Sequence, residues 1–189
     1  METIQKIAYL LNKFGPEGTN VIKLAKLMVI ADVYKLRKYG SELLQQEKYF
    51  ALENGPVPSN TENLINHSSE YLSEQELEMS KKMWERISER NNIWDIVQIK
   101  GEVDEEHLSE IDQESIDYAF ENYSEYTPKD LIKEVHKYHA WKKHETDLND
   151  GSCKRIKMEK VDFFGDDEGP VKVGKNILEG SKHYFLEAV

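Results

Sequence analysis

Cysteine is almost missing from this sequence. Cys153 stands alone, so no intramolecular disulfide can form and nothing demands an oxidising compartment. Long apolar runs are missing too. The N-terminal METIQKIAYLLNKF places Glu2, Gln5 and Lys6 where a signal core would have to be apolar, and no run approaches the roughly 18 residues of a membrane span. The expectation is a cytoplasmic protein without a membrane partner. Positive charge is the third deficit: 25 Lys and Arg face 36 Asp and Glu, for a formal charge of −11. Such a surface repels phosphate backbones and anionic lipid, which disfavours direct nucleic-acid binding and favours a basic protein partner. With 189 residues and 39% apolar content, the chain can bury one real core.

What is present is mostly helical periodicity. Ile4, Ile7, Ala8, Leu11 and Phe14 recur at helical spacing until Gly15-Pro16 stops them. From about Thr19 to Tyr39 a second helix carries Leu24, Leu27, Met28 and Ala31 on one face and Val29, Ile30 and Val33 on the other, so it belongs at the centre of the fold. Gly40 is placed to end it, after Lys35, Arg37 and Lys38 in the last turns. Tyr49 and Phe50 mark a short strand within 47–52. The following ENGPVPS cannot be helix: Gly55 accepts positive φ, and Pro56 and Pro58 restrict themselves and the residues before them. It reads as a rigid strand-to-helix elbow, with Ser59 and Glu62 as a capping box for the next helix.

Ser73 and Glu76 form another capping box, opening a helix expected to run through Met83, Trp84 and Ile87 to about Arg90. IWDIVQIK at 93–100 reads as a second strand, able to pair with the first. The fold class expected is therefore mainly α with a small two-stranded β-sheet, a compact helical α+β domain. A thin apolar stripe makes the helix at 110–123 look peripheral. Thr127, Pro128 and Asp130 start one more helix, LIKEVHKYHAWKKH, in which Trp141 reads as a core aromatic.

Several residues invite functional readings. Between Gly101 and Pro128 lie ten acids and no Lys or Arg. This run is either a solvated face or a docking face for a basic protein, whose candidate contacts are Glu102, Asp104, Glu105, Glu110, Asp112, Glu114, Asp117 and Glu121. His136, His139 and His144 raise a metal reading, but His144 lies off the face shared by the other two and no partner motif accompanies them, so structural imidazoles are the expectation and no metal or cofactor is implied. Asp32 is the single acid in an apolar stretch. It needs hydrogen bonds or a cation there, and the amides of Asn54 and Gly55 are the expected donors. The alternative, a perturbed catalytic acid working with His136 or His139, lacks a complete acid–base pair in the sequence.

KLAKLMVIADVYKLRKYG, then Tyr49, Ala51 and ENGPVPS, resembles the signature of the Panacea domain, the SocA-like family first noted in phage-associated proteins; Asp104, Leu108-Ser109, Leu131, His136 and Trp141 resemble its second half. The resemblance spans roughly residues 1–164. It makes Lys23, Leu27, Asp32, Tyr39, Gly40, Gly55, Pro56, Pro58, His136 and Trp141 family-motif or structural positions. Lys35 stands where the family often has histidine, and Ser41 to Gln45 replace its turn, so roles of those features do not carry over. Residues 165–189 form a tail beyond the resemblance, with GDDEGP as linker and a helical candidate from Ile177 to Leu186. The resemblance implies an antitoxin in phage defence, not an enzyme, that neutralises a protein toxin encoded in the neighbouring gene by binding it. A proteolytic adaptor or regulatory module that meets a cellular protease is the alternative.

Overall fold

The central helix follows directly from its composition. In the computed structural model, which describes residues 2–88, 95–165 and 168–188, α1 (Glu2–Asn12) and β1 (Thr19–Asn20) lead into α2 (Val21–Tyr39). The Asn20 side chain accepts from the Ile22 and Lys23 amides and so starts α2. Leu24, Leu27, Met28, Val29, Ile30 and Ala31 are fully buried: an all-round apolar helix needs neighbours on every side, and it has them. Gly40, at φ 68°, ends it by donating its N–H to the Leu36 carbonyl.

The strand order differs from the expected two-stranded sheet. β2 (Tyr49–Leu52) turns through Glu53 and Asn54 into β3 (Gly55–Pro58), so the proline-rich elbow is itself a strand. β2 pairs on its other side with β6 (Ile156–Lys157), which leaves β3 at the sheet edge, where proline's missing N–H is tolerated. The Ser59–Glu62 capping box does not form. Pro58 is the N-cap of α3 (Ser59–Asn66), and no side chain caps it locally. Instead the Glu47 carboxylate accepts from the Asn60 amide at 2.7 Å and from the Thr61 amide and hydroxyl at 3.0 and 2.9 Å.

The Ser73–Glu76 capping box is present at the start of α4 (Glu74–Met83). That helix stops at Met83, because Trp84–Ile87 is strand β4 rather than further helix. β4 pairs with β5 (Ile96–Ile99), which also pairs with β1. The second expected strand thus belongs to a separate three-stranded sheet; positions 89–94, where the expected helix end and strand start fall, lie outside the described residues.

Next come α5 (Glu110–Tyr123), α6 (Pro128–Val135), α7 (His139–Lys142) and α8 (Glu145–Asn149). The single helix expected over LIKEVHKYHAWKKH breaks at His136–Tyr138, which lets Tyr138 and Trp141 both reach the core. α5 is not peripheral. It lies along α2, with Asp112, Ser115, Ile116 and Ala119 buried, and Tyr118 stacks on Tyr34 at 4.1 Å. Burial of its polar positions hides the apolar stripe that periodicity looks for.

A 3₁₀ turn at Lys160–Phe164 buries Phe163 and Phe164. The expected linker at 165–170 includes 166–167, outside the described residues. Helix α9 (Lys175–Ala188) then docks on α2, with Phe185 against Phe164 and Ser181 beside Gly40. Arg37 fastens the preceding segment, donating to the Phe163 and Val171 carbonyls at 2.6 Å each.

Candidate docking groove and its scaffold

The motif residues and the acidic residues separate into an interior set and a surface set. In the interior, Asp32 is 2% exposed. Its Oδ1 accepts the Leu43 and Leu44 amides at 2.7 and 2.9 Å, and its Oδ2 accepts the Tyr49 hydroxyl at 2.7 Å. The expected donors at Asn54 and Gly55 are therefore replaced by the loop just after α2, which is nearer along the chain and folds back over the helix. Burial raises the Asp32 pKa against the pull of Lys160 and of these donors.

Lys23 donates to the Ser124 carbonyl at 2.7 Å and Leu27 is fully buried. Gly55, at φ 97°, sits so close to Val135 and His136 that an added Cβ would meet them at 2.9 and 3.2 Å. The Pro56 carbonyl accepts from Lys26 at 2.8 Å. His136 stacks on Trp141 with ring centroids 3.6 Å apart, and the Trp141 indole donates to the Leu52 carbonyl at 2.9 Å. Burial, then the nearby Lys26, push the His136 pKa down to about 4, against a hydrogen bond to the Glu53 backbone. Asp32 and His136 thus serve different parts of the scaffold and share no hydrogen bond. Among the described residues, no group of His, Cys, Asp and Glu has the arrangement of a metal site.

On the surface, Glu110, Glu114, Asp117 and Glu121 fall at intervals of four, three and four along α5, which aligns them on one helix face. With Tyr34, Gln113 and Tyr118 they line a groove of about 450 Å³. The four are not alike. Glu114 accepts from Lys38, Tyr34 and Tyr39, and these bonds hold its pKa down to about 2. Asp117 pairs with Lys13 at 2.6 Å. Glu110 and Glu121 make no ion pair among the described residues.

The other candidate acids lie elsewhere. Asp112 points inward, where burial opposes its ionisation but Lys35 at 2.6 Å, with Lys6 and Ser109, keeps its pKa low. Asp104 pairs with His107 at 2.9 Å; Glu102 and Glu105 are exposed on the segment before α5. Sequence reasoning missed the Tyr34–Tyr118 stack that floors the groove, and also Lys26 and Glu47. A lysine inside the apolar run LAKLMVIAD was a signal for Lys26; nothing local marked Glu47.

The domain is mainly α, its buried Asp32 and Glu47 hold backbone amides, and four acids of α5 line one groove. The family model of the antitoxin SocA-like Panacea domain matches residues 24–142, more than half of the 189 residues, and the chain belongs to that family. The match runs from α2 through α7, narrower than the span of the motif resemblance. Among curated proteins and solved structures, none matches. No described helix is long and apolar enough to cross a membrane.

Proposed function

We propose that this chain is the antitoxin of a toxin–antitoxin pair, acting in the cytoplasm without catalysis by binding a basic protein toxin encoded in the neighbouring gene. The observation that carries the reading is the alignment of Glu110, Glu114, Asp117 and Glu121 around the Tyr34–Tyr118 stack. Carboxylates aligned on one helix face suit a lysine or arginine, which gains charge-assisted hydrogen bonds there. Glu110 and Glu121 supply the charge not already neutralised within the fold. Glu102, Asp104 and Glu105 extend the same negative field and steer the approach of the partner, while nucleic acid is repelled. Asp112, held inside by two lysines, acts on the position of α5 rather than by contact.

Growth of cells expressing the neighbouring open reading frame alone, and then with this chain, followed by pull-down, tests the proposal. Rescue with co-purification is expected. The pair Glu110→Lys and Glu121→Lys should lower affinity about tenfold or more at low salt, mostly through the association rate. A harmless neighbour, or rescue without a complex, refutes the reading.

A further inference from the structure

Lys26 sits in the second turn of α2 with 2% of its surface exposed. Its ammonium donates to the Pro56 carbonyl at 2.8 Å and makes no ion pair among the described residues. An ammonium has three N–H groups, so this one has donors to spare in a place where unmet donors are costly. The residue lines a cavity of about 550 Å³ between α2, the β2–β3 turn, α3 and the 148–154 segment. That volume lies within the range of small-ligand sites. Ile22, Leu52, Val57 and Leu148 make much of the wall apolar, and Glu53 and Glu62 also line it.

The geometry points to a binding site for a monocarboxylate with an apolar body, its carboxylate on Lys26 and its chain on the apolar wall. The two glutamates restrict the charge: a phosphate dianion or a dicarboxylate meets them with a second negative charge, and a single carboxylate does not. The shared chemistry fits a free alkanoic acid or the C-terminal residue of a polypeptide. This site is separate from the α5 groove, and the inference does not depend on the antitoxin reading.

The pH dependence supplies a signature. Burial brings the Lys26 pKa down to about 7, with Glu62 opposing. The other charged or titratable groups nearby are Glu53, Cys153 and Lys154 in the cavity wall, Arg155, whose charge acts on Glu62, and His136 beyond the hairpin. His136, with its pKa at about 4, stays neutral here. The ligand must be ionised and the amine protonated, so affinity is level between the ligand's own carboxyl pKa and about pH 7 and falls about tenfold per unit well above it.

The probe is octanoate, titrated into the full chain by NMR, with octanol and suberate as controls. A peptide ending in a free leucine carboxylate and its amidated twin separate the two sources. Saturable octanoate binding is expected, weaker for suberate and octanol, and reduced about 10- to 100-fold in Lys26→Met, the loss of one charge-assisted hydrogen bond. Leu148→Trp, which fills the cavity and leaves Lys26 in place, should also reduce binding, and it keeps the test open if Lys26→Met does not fold. Equal octanoate affinity in the wild type and in a folded Lys26→Met, unchanged affinity in Leu148→Trp, or no saturable binding at about 10 mM overturns the inference.

Discussion

Replacing Asp32 gives the sharpest test of how this fold is held. In Asp32→Ala the Leu43 and Leu44 amides and the Tyr49 hydroxyl, all buried, lose their acceptor. Each unmet donor costs about 1–3 kcal/mol. Removing a carboxylate that itself resists burial returns part of that sum, so the net loss is about 3–5 kcal/mol, against a total stability of about 5–15 kcal/mol. Asp32→Asn is different, because both amides already use the same oxygen, Oδ1. The amide side chain keeps that oxygen, and the Tyr49 hydroxyl can rotate to accept from the new NH₂. Its loss is about 2 kcal/mol, from the charge assistance and from the Tyr49 O–H, which gives up its acceptor when it turns. Urea unfolding followed by circular dichroism measures both, and Asp32→Ala should lower Tm by roughly 10 °C. The reasoning fails if Asp32→Ala lies within about 1 kcal/mol of wild type, or if Asn is as costly as Ala.

Three further outcomes follow from the same structure. Glu47→Ala should cost about 2–3 kcal/mol by stripping the start of α3 of its acceptor, while Ser59→Ala, at the position where a local cap was expected, should cost under about 0.5 kcal/mol; chemical denaturation compares them. His136 has a folded pKa near 4, below its ordinary 6.5, so the unfolded chain takes up the proton first and stability is lost as pH falls from about 6.5 toward 4. Allowing for solvent near this half-buried ring, wild type should lose about 1–2 kcal/mol relative to His136→Phe between pH 7 and 4.5, and parallel melts that show no such gap would refute the assignment. Gly55→Ala, which forces a side chain into positive φ and against Val135, should destabilise by about 2 kcal/mol or more in the same unfolding assay.

The sequence by itself determined the features whose causes lie within a turn or two of chain. The all-apolar middle of α2 forced that helix to the centre, Gly40 stopped it, and Ser73–Glu76 and Thr127–Pro128 opened their helices, because caps act on amides two or three residues away. The signature from Lys23 to Pro58 marked the family partly for a related reason: Gly55 and the prolines are held to backbone geometry that few other residues satisfy, whereas Asp32 is held by donors 11 to 17 residues away. Tertiary structure decided what depends on partners distant in sequence. Strands of two to four residues carry too little periodicity to reveal their pairing, so β2 found β3 and β6 while β5 found β4 and β1. Glu47 caps a helix that starts twelve residues later, with no local mark of doing so. The acids of α5 look alike in one dimension, yet Lys35 and Lys6 draw Asp112 inward, Lys38 and Lys13 engage Glu114 and Asp117, and Glu110 and Glu121 make no ion pair among the described residues. Charge alone predicted an acidic segment; only packing assigned each carboxylate to the fold or to the groove.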